Sequence, residues 1–215
     1  ATGLVFRDAL VAARKRGVRV QVLLDALGAI GLPGDFWNPL VALGGEFRWF
    51  NPFRSPDRFG FRNHRKLLSV DHTVAFIGGF NISEDYNGDG VSKGWRDLGM
   101  EVRGGPVAAL EASFAELFAR ASDRPSPFPV FYRKRPTEVL GENWSLLLCG
   151  PRRGHWALKR SLVRDLSRAR EVRIECAYFL PTRRMRRALI GVARRGGRVQ
   201  LIMAGKTDVP ISRLA

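Results

Sequence analysis

Residues 63–81 read NHRKLLSVDHTVAFIGGFN and combine several side chains that can handle a phosphate ester. His64 precedes Lys66 by two positions, and Asp71 follows five positions after the lysine. On a strand, residues two apart point to the same face, so the imidazole and the ammonium group are predicted to lie side by side. An imidazole can act as a nucleophile or as an acid and base, and a lysine can neutralise phosphoryl oxygens. The spacing therefore favours a phosphate site over an ordinary hairpin.

The end of the same stretch adds groups that suit a bound phosphate. Gly78 and Gly79 follow the apolar run TVAFI, and Asn81 comes two positions later. Glycines let a ligand approach the backbone closely, and the asparagine amide can donate hydrogen bonds. Each feature is ordinary by itself, because glycine pairs often only turn a chain. Their joint occurrence in the pattern H-x-K-x4-D-x6-G-G-x-N is what predicts a site.

Composition narrows the class of protein without choosing a partner. Hydrophobic residues make up 45% of the 215 residues, which argues against disorder and a coiled coil. The formal net charge of +16 indicates a polyanionic partner, either nucleic acid, an anionic membrane surface or a phosphate-bearing substrate. Fifteen of the basic residues lie within residues 152–198, against three acidic ones. A solvated basic helix face accounts for that stretch equally well.

The chain contains an internal repeat. Residues 6–25 align without gaps on residues 185–204, with eight of twenty positions identical. Each copy is predicted to form an amphipathic helix, a glycine at its C-terminal end and an apolar strand. Duplication explains this agreement better than chance resemblance between arginine-rich helices. We expect two lobes, with a second copy of the motif near residue 243, 179 positions after His64 and beyond the given sequence.

The pattern of strands and helices predicts an α/β fold with a mixed β-sheet flanked by helices. Parallel-type apolar runs alternate with helices, and the hairpin at 66–77 and residues 98–104 add antiparallel strands. We expect a first lobe over residues 1–121, in which the N-terminal strand is missing. A Pro- and Ser-rich linker is predicted over residues 122–140. The start of a second, truncated lobe follows over residues 141–215.

The motif is identified as the H-x-K-x4-D signature of the phospholipase D superfamily, followed by its G-[SG]-x-N element. The resemblance covers nearly the whole chain and is closest to the bacterial cardiolipin synthases that lack N-terminal transmembrane helices. It implies a phospholipase D-like fold with duplicated lobes, the second incomplete. The segments that carry it outside the motif are ALVAARKRGVRVQVLLDALGA, FNPFRSPDRFGFRNHRK, GWRDLGMEVRGGPVAALEASFAELF and AYFLPTRRMRRALIGVARRGGRVQLIM.

The resemblance implies a reaction through a phosphohistidine. His64 would be the nucleophile, while Lys66, Gly79 and Asn81 would bind the phosphate of the substrate. A histidine from a second H-x-K motif would protonate the leaving alcohol and activate the incoming one. Because that second motif is absent from these 215 residues, we expect the chain to be inactive alone. A homodimer that pairs two copies of His64 is the alternative, and the second-lobe segment argues against it.

Two further residues receive roles by the same resemblance. Asp97, in the segment GWRDLG, would orient the His64 imidazole, although its ordinary interpretation is a loop carboxylate next to Arg96. Asp71 belongs to the catalytic motif and is expected to support the site rather than to touch the substrate.

The implied activity is transfer of a phosphatidyl group between phosphatidylglycerol molecules, giving cardiolipin and glycerol without a metal or other cofactor. The implied location is the bacterial cell membrane, with the enzyme peripheral on its cytoplasmic side. A phospholipase D-type phosphodiesterase or nuclease of the same superfamily is the alternative enzyme, with nucleic acid as the less favoured partner. A non-catalytic basic module that binds anionic lipid or nucleic acid is the alternative of another class.

A calcium loop is the competing interpretation of residues 85–90, DYNGDG. The spacing of its first acidic and amide residues is that of a calcium-binding loop, but the position of the bidentate glutamate holds Arg96. The sequence therefore predicts no metal site.

Overall fold

The computed structural model describes residues 1–52, 62–121, 137–148 and 154–204. The chain divides into two compact units, which are described separately below. Most of the predicted linker, residues 122–136, lies outside the described residues, and residues 137–140 form a strand. The division into two lobes with the predicted boundaries stays a prediction. Within the described ranges, no helix is both long and apolar enough to cross a bilayer.

The first unit begins with a helix and a parallel strand pair. Strand β1 (Gln21–Asp25) lies parallel to β2 (Glu46–Phe50), with Gln21 opposite Glu46. Their core is built from buried Val20, Val22 and Leu40, with Trp37 stacked on a neighbouring phenylalanine ring. The elements are α1 (Thr2–Lys15), β1 (Gln21–Asp25), α2 (Asn38–Val41) and β2 (Glu46–Phe50).

An antiparallel sheet follows in the order β3-β4-β5. Its strands are β3 (Leu67–Val70), β4 (Val74–Gly78) and β5 (Gly99–Arg103). The connection between β3 and β4 is three residues long (71–73), and its first two residues are in the left-handed region, Asp71 at φ 51° and His72 at φ 58°. This conformation matches the twist of the flanking strands, and the N–H of Thr73 donates to the Val70 carbonyl at 3.1 Å. The predicted hairpin is thereby confirmed.

Helix α3 (Gly105–Arg120) covers this sheet. Val107 and Leu110 pack on Ala75 of β4, and all three are buried. A second strand pair, β6 (Thr137–Leu140) and β7 (Ser145–Leu148), supplies Leu146 and Leu148 to the same cluster.

The second unit is a small α/β layer. Strands β8 (Glu171–Cys176) and β9 (Arg198–Met203) are parallel, with Glu171 opposite Arg198. Its core is formed by Val172, Leu189 and Val192. The elements are α4 (Gly154–Arg168), β8 (Glu171–Cys176), α5 (Arg183–Arg194) and β9 (Arg198–Met203). With parallel pairs, an antiparallel sheet and flanking helices, the predicted mixed α/β fold is confirmed.

The two copies of the sequence repeat have the same helix ending. In the first, the N–H of Gly17 donates to Arg14 and that of Val18 to Ala13, at 2.9 and 3.2 Å. In the second, the N–H of Gly196 donates to Ala193 and that of Gly197 to Val192, both at 3.0 Å. This is the Schellman arrangement, and it needs a left-handed residue, here glycine with φ 89° and 79°. The repeated sequence therefore builds the same helix-to-strand turn twice.

Candidate active site

His64 and Lys66 lie together just before β3. The strand begins at Leu67, so the expectation that the pair lies on the strand is wrong, although the expected adjacency holds. The Lys66 Nζ lies 3.1 Å from Nδ1 and 3.3 Å from Nε2 of His64, and it donates to the His64 carbonyl at 2.9 Å. The side chain of Lys66 is long enough to reach back past Arg65, so its ammonium group contacts both the ring and the carbonyl of His64. The imidazole itself is exposed.

The ammonium group of Lys66 is partly removed from water. Burial lowers the pKa of Lys66 from its usual value, and the nearby Asp97 carboxylate acts in the opposite direction. A lysine in such a setting carries a poorly hydrated positive charge, which is the kind that binds an incoming phosphate oxygen well. His64, Lys66 and Asp97 thus belong to one electrostatic group.

Gly79 makes room for the Asp97 carboxylate. A side chain at Gly79 would place its Cβ against both carboxylate oxygens and 2.9 Å from Cγ of Asp97. The Gly79 N–H donates to the Leu98 carbonyl at 3.2 Å, which ties the two segments together. The sequence suggested a glycine that lets a ligand approach. In the structure the space is taken by an acidic side chain of the same site.

Asn81 and Asp97 line a single cavity of about 340 Å³. Tyr86 and Trp95 form another part of its wall, with their rings edge to face and 5.4 Å apart. Burial raises the pKa of Tyr86, the charge of Asp97 raises it further, and contact of its hydroxyl with the Asn81 side chain opposes the rise. Sequence reasoning missed both aromatic residues. Tyr86 lies between the G-G-x-N element and the segment GWRDLG, and Trp95 belongs to that segment, which was the available signal.

Asp71 is not brought into this group. It occupies the turn beyond β3, five residues after Lys66 along an extended segment, which corresponds to about 16 Å. Its neighbour His72 points elsewhere: its Nδ1 lies 2.6 Å from the Glu111 carboxylate on α3. The structure therefore separates Asp71 from His64 and Lys66, and a catalytic role for it stays a prediction.

The orienting role of Asp97 also stays a prediction. Among the described residues, the hydrogen-bond contacts of the His64 ring nitrogens are with Lys66. The Asp97 carboxylate accepts from the N–H of Leu98 at 2.7 Å, and it acts electrostatically on Lys66.

The loop that resembled a calcium site uses its carboxylate internally. Asp89 accepts from the backbone N–H groups of Val91, Ser92 and Lys93 at 2.8 to 3.0 Å, and from the Ser92 hydroxyl. These hydrogen bonds hold the pKa of Asp89 well below its usual value. Asp89 thus stabilises the loop that carries Trp95. In the part of the chain that the structure describes, no three acidic, histidine or cysteine side chains are grouped as a metal site would require.

Comparison with known proteins agrees with the geometry. Residues 4–92 match the family described as "Cardiolipin synthase, PLD-like domain", and this range contains the histidine–lysine pair, the glycine pair and Asn81. Residues 4–92 are thus similar to a phospholipase D-like domain. The family resemblance inferred from the motif is thereby confirmed.

Relatives within the superfamily match far more of the chain than the domain does. Cardiolipin synthase B of Escherichia coli (strain K12) is 34% identical over 220 residues, covering 99% of this chain and 53% of the relative. Cardiolipin synthase B of Salmonella typhimurium is 31% identical over the same shares. The major cardiolipin synthase ClsA of Bacillus subtilis is 30% identical over 217 residues, 96% of this chain and 44% of the relative. The chain spans about half the length of these curated relatives.

Proposed function

We propose that this chain is the His64-bearing part of a cardiolipin synthase-like phosphatidyltransferase that works through a phosphohistidine. The single observation that carries the proposal is the contact between Lys66 Nζ and the exposed imidazole of His64, 3.1 and 3.3 Å from its two nitrogens. An exposed nucleophile with a desolvated cation beside it suits attack on a phosphodiester. The similarity to cardiolipin synthases supplies the substrate class.

The reaction consists of two displacements at one phosphorus atom. In the first, a ring nitrogen of His64 attacks the phosphate of phosphatidylglycerol, a P–N bond forms, and the P–O bond to glycerol breaks. The leaving glycerol oxygen takes a proton from an acid, which by family resemblance is the histidine of a second motif. In the second, a hydroxyl of another phosphatidylglycerol attacks, giving up its proton to the same group. The P–N bond breaks and cardiolipin forms.

The other site residues have distinct tasks in this scheme. Lys66 moves from the imidazole to a phosphoryl oxygen as negative charge develops there, and Asn81 donates an amide N–H to a second oxygen. Gly79 leaves room for the Asp97 carboxylate. Asp97 supports Lys66 and orients the imidazole. Tyr86 and Trp95 line the cavity in which the glycerol or ester part of the lipid would bind. Their rings offer apolar contacts, and the Tyr86 hydroxyl offers a hydrogen bond.

The second unit supplies a surface for the anionic bilayer. Arg183, Arg187 and Arg194 lie on one face of α5, with spacings of four and seven residues, and Ile190 lies among them with 46% of its surface exposed. All three arginines are exposed, and within the described residues none has an acidic partner. Arginines around an exposed apolar residue suit a surface of phosphatidylglycerol headgroups. We therefore place the enzyme peripherally at the bacterial membrane, on the cytoplasmic side.

The test is to trap the intermediate in the enzyme of natural length. Phosphatidylglycerol labelled in its phosphate is mixed with the enzyme, and the reaction is stopped in alkali, where phosphohistidine survives. We expect label on His64 and a product mixture of cardiolipin and glycerol. His64→Ala should lose both, while His72→Ala, which changes an exposed histidine paired with α3, should keep both.

The alternatives give different results in the same experiment. Phosphatidic acid in place of cardiolipin would identify a hydrolase, and cleavage of DNA with inert lipid would identify a nuclease. Lipid binding that is unchanged in His64→Ala, with no turnover by the natural enzyme, would identify a binding module. Label on another residue, or cardiolipin formation at the natural rate in His64→Ala, would remove His64 as the nucleophile.

A further inference from the structure

A carboxylate at the end of β1 holds the backbone that leads into His64. Asp25 is the last residue of the strand, and its side chain is only 9% exposed. One oxygen accepts from the backbone N–H of Asn63 at 2.7 Å. The other accepts from the N–H of Leu27 at 2.9 Å and lies 3.4 Å from the Arg62 guanidinium. The carboxylate thus connects the end of β1 to the residue immediately before the proposed nucleophile.

The hydrogen bonds around Asp25 extend beyond the carboxylate. Arg62, itself largely buried, also donates to the Asn51 carbonyl at 3.0 Å. On the other side of His64, the Arg65 guanidinium donates to the Ser113 hydroxyl of α3 at 2.5 Å. His64 therefore projects from a short segment that is fixed before and after it, while its own ring is exposed.

We propose that Asp25 is a positioning residue that sets where the His64 imidazole stands. The proposal rests on the function proposed above, because it concerns the same nucleophile. A buried carboxylate that accepts a backbone N–H fixes the chain more firmly than a neutral acceptor does, since charge-assisted hydrogen bonds are about twice as strong. A misplacement of about 1 Å can cost about 10²-fold in rate, so such an anchor matters for an in-line attack.

The repeat offers an internal comparison. The position that corresponds to Asp25 in the second copy is occupied by Ala204, although the helix ending and the strand before it match. The carboxylate is therefore not needed to complete the helix-to-strand unit. In the first copy the carboxylate accepts the backbone N–H of Asn63, next to His64, so its contact is with the site segment and not with the repeat unit itself.

The test uses Asp25→Asn and Asp25→Ala in the enzyme of natural length. Asparagine keeps one acceptor oxygen for the N–H of Asn63, but its NH₂ group faces the donors on the other side, so an intermediate loss is expected. We expect kcat to fall about tenfold in Asp25→Asn and about 10²-fold in Asp25→Ala. KM for phosphatidylglycerol should stay within about twofold, because the anchor acts on the nucleophile. Asp8→Asn is the matched control, since Asp8 is exposed and pairs with Arg7 at 2.8 Å.

A second measurement keeps the proposal testable apart from activity. The side-chain NMR signals of His64 are identified by their loss in His64→Gln. We expect them to shift in Asp25→Asn, at a temperature at which the variant is folded, and to stay in place in Asp8→Asn. A purely structural Asp25 would lower the melting temperature yet leave both kcat and the His64 signals of the folded variant unchanged, and that result would overturn the proposal. If the natural enzyme proved not to be a transferase, the NMR result would still decide the role of Asp25.

Discussion

The Lys66 ammonium nitrogen is almost equally distant from the two ring nitrogens of His64, 3.1 Å from Nδ1 and 3.3 Å from Nε2. A lysine committed to one nitrogen would lie in line with that atom and far from the other. The Lys66 Nζ instead lies beside the ring and donates a hydrogen bond to the His64 carbonyl at 2.9 Å. The imidazole and the cation can therefore be presented together to one phosphate group.

The first prediction distinguishes the effect of Lys66 on the stability of the fold from its effect on the rate of the reaction. Burial lowers the pKa of Lys66, so folding disfavours the protonated ammonium group. The contribution of Lys66 to the stability of the folded state therefore increases as the pH rises through the folded pKa. Lys66→Met should therefore melt no lower than the natural protein at pH 7, while turnover of phosphatidylglycerol falls about 10²- to 10³-fold. Calorimetry and a cardiolipin assay measure the two effects.

Lys93→Met is the control for that prediction, because Lys93 lies in an exposed part of the loop. It should change turnover by less than about twofold. If Lys66→Met retained natural turnover, Lys66 would not be the phosphate ligand.

The second prediction concerns the space at Gly79. In Gly79→Ala the new methyl group would collide with the Asp97 carboxylate, whose Cγ would lie 2.9 Å away. A short side chain can rotate aside, so we expect the protein to fold with a modest loss of melting temperature. The displaced carboxylate should leave Lys66 less supported, and kcat should fall at least about tenfold. Gly31→Ala is the matched control, because a methyl group there meets nothing within 4 Å.

A crystal structure of Gly79→Ala would check the mechanism directly. It should show the Asp97 carboxylate turned away from Lys66. An unmoved carboxylate together with lost activity would point to the glycine backbone itself as the contact for the substrate.

The third prediction is a pH dependence outside the active site. The hydrogen bond and charge of Glu111 raise the pKa of His72. A raised pKa means that the pair stabilises the folded state fully below about pH 6.5 and loses this effect as the pH rises through the folded pKa. In Glu111→Gln the His72 titration, followed by NMR, should move to lower pH, and the dependence of melting temperature on pH should flatten. Glu101→Gln, which breaks a pair with Arg103 at 2.6 Å, should leave the His72 titration in place.

The fourth prediction tests the basic face of α5. Replacing Arg183, Arg187 and Arg194 together by Gln should weaken binding to phosphatidylglycerol vesicles by at least about tenfold at low salt, because about 1 kcal/mol is lost per basic residue near an anionic surface. Binding to phosphatidylcholine vesicles should not change. Sedimentation with vesicles measures both.

The control for α5 removes the same charge elsewhere, through Gln at Lys15, Arg16 and Lys93, all of which are exposed. Equal losses in the two triple variants would mean that net charge, rather than this helix, governs the contact. A loss of DNA binding without a loss of vesicle binding would assign the face to nucleic acid.

Periodicity and motif spacing predicted most of the fold. The apolar runs, the glycine-terminated helices and the hairpin turn at Asp71 are local features, since each depends on residues within a few positions of one another. The predicted strand began too early, because the alternation of His64 and Lys66 resembles one face of a strand. In the structure the pairing with β4 begins at Leu67.

The site was only partly predictable from the sequence. The pairing of His64 with Lys66 follows from their spacing, but the roles of Asp25 and Tyr86 depend on contacts between residues distant in the chain. Asp25 reaches a backbone N–H that is 38 positions away. Ligand sites in α/β proteins often lie at the C-terminal ends of parallel strands. A carboxylate at the end of an apolar strand was therefore the feature of the sequence that could have indicated Asp25.

The Schellman endings at Gly17 and Gly196 have a consequence for how the two copies diverged. Each ending is closed by its own backbone hydrogen bonds, so the direction in which the strand leaves the helix is set before the last strand residue is reached. The last position can therefore differ between the two copies without altering the scaffold, and it holds aspartate in one copy and alanine in the other. A chimaera in which residues 6–24 are exchanged for 185–203 should therefore fold, provided that Asp25 is kept to hold the segment before His64.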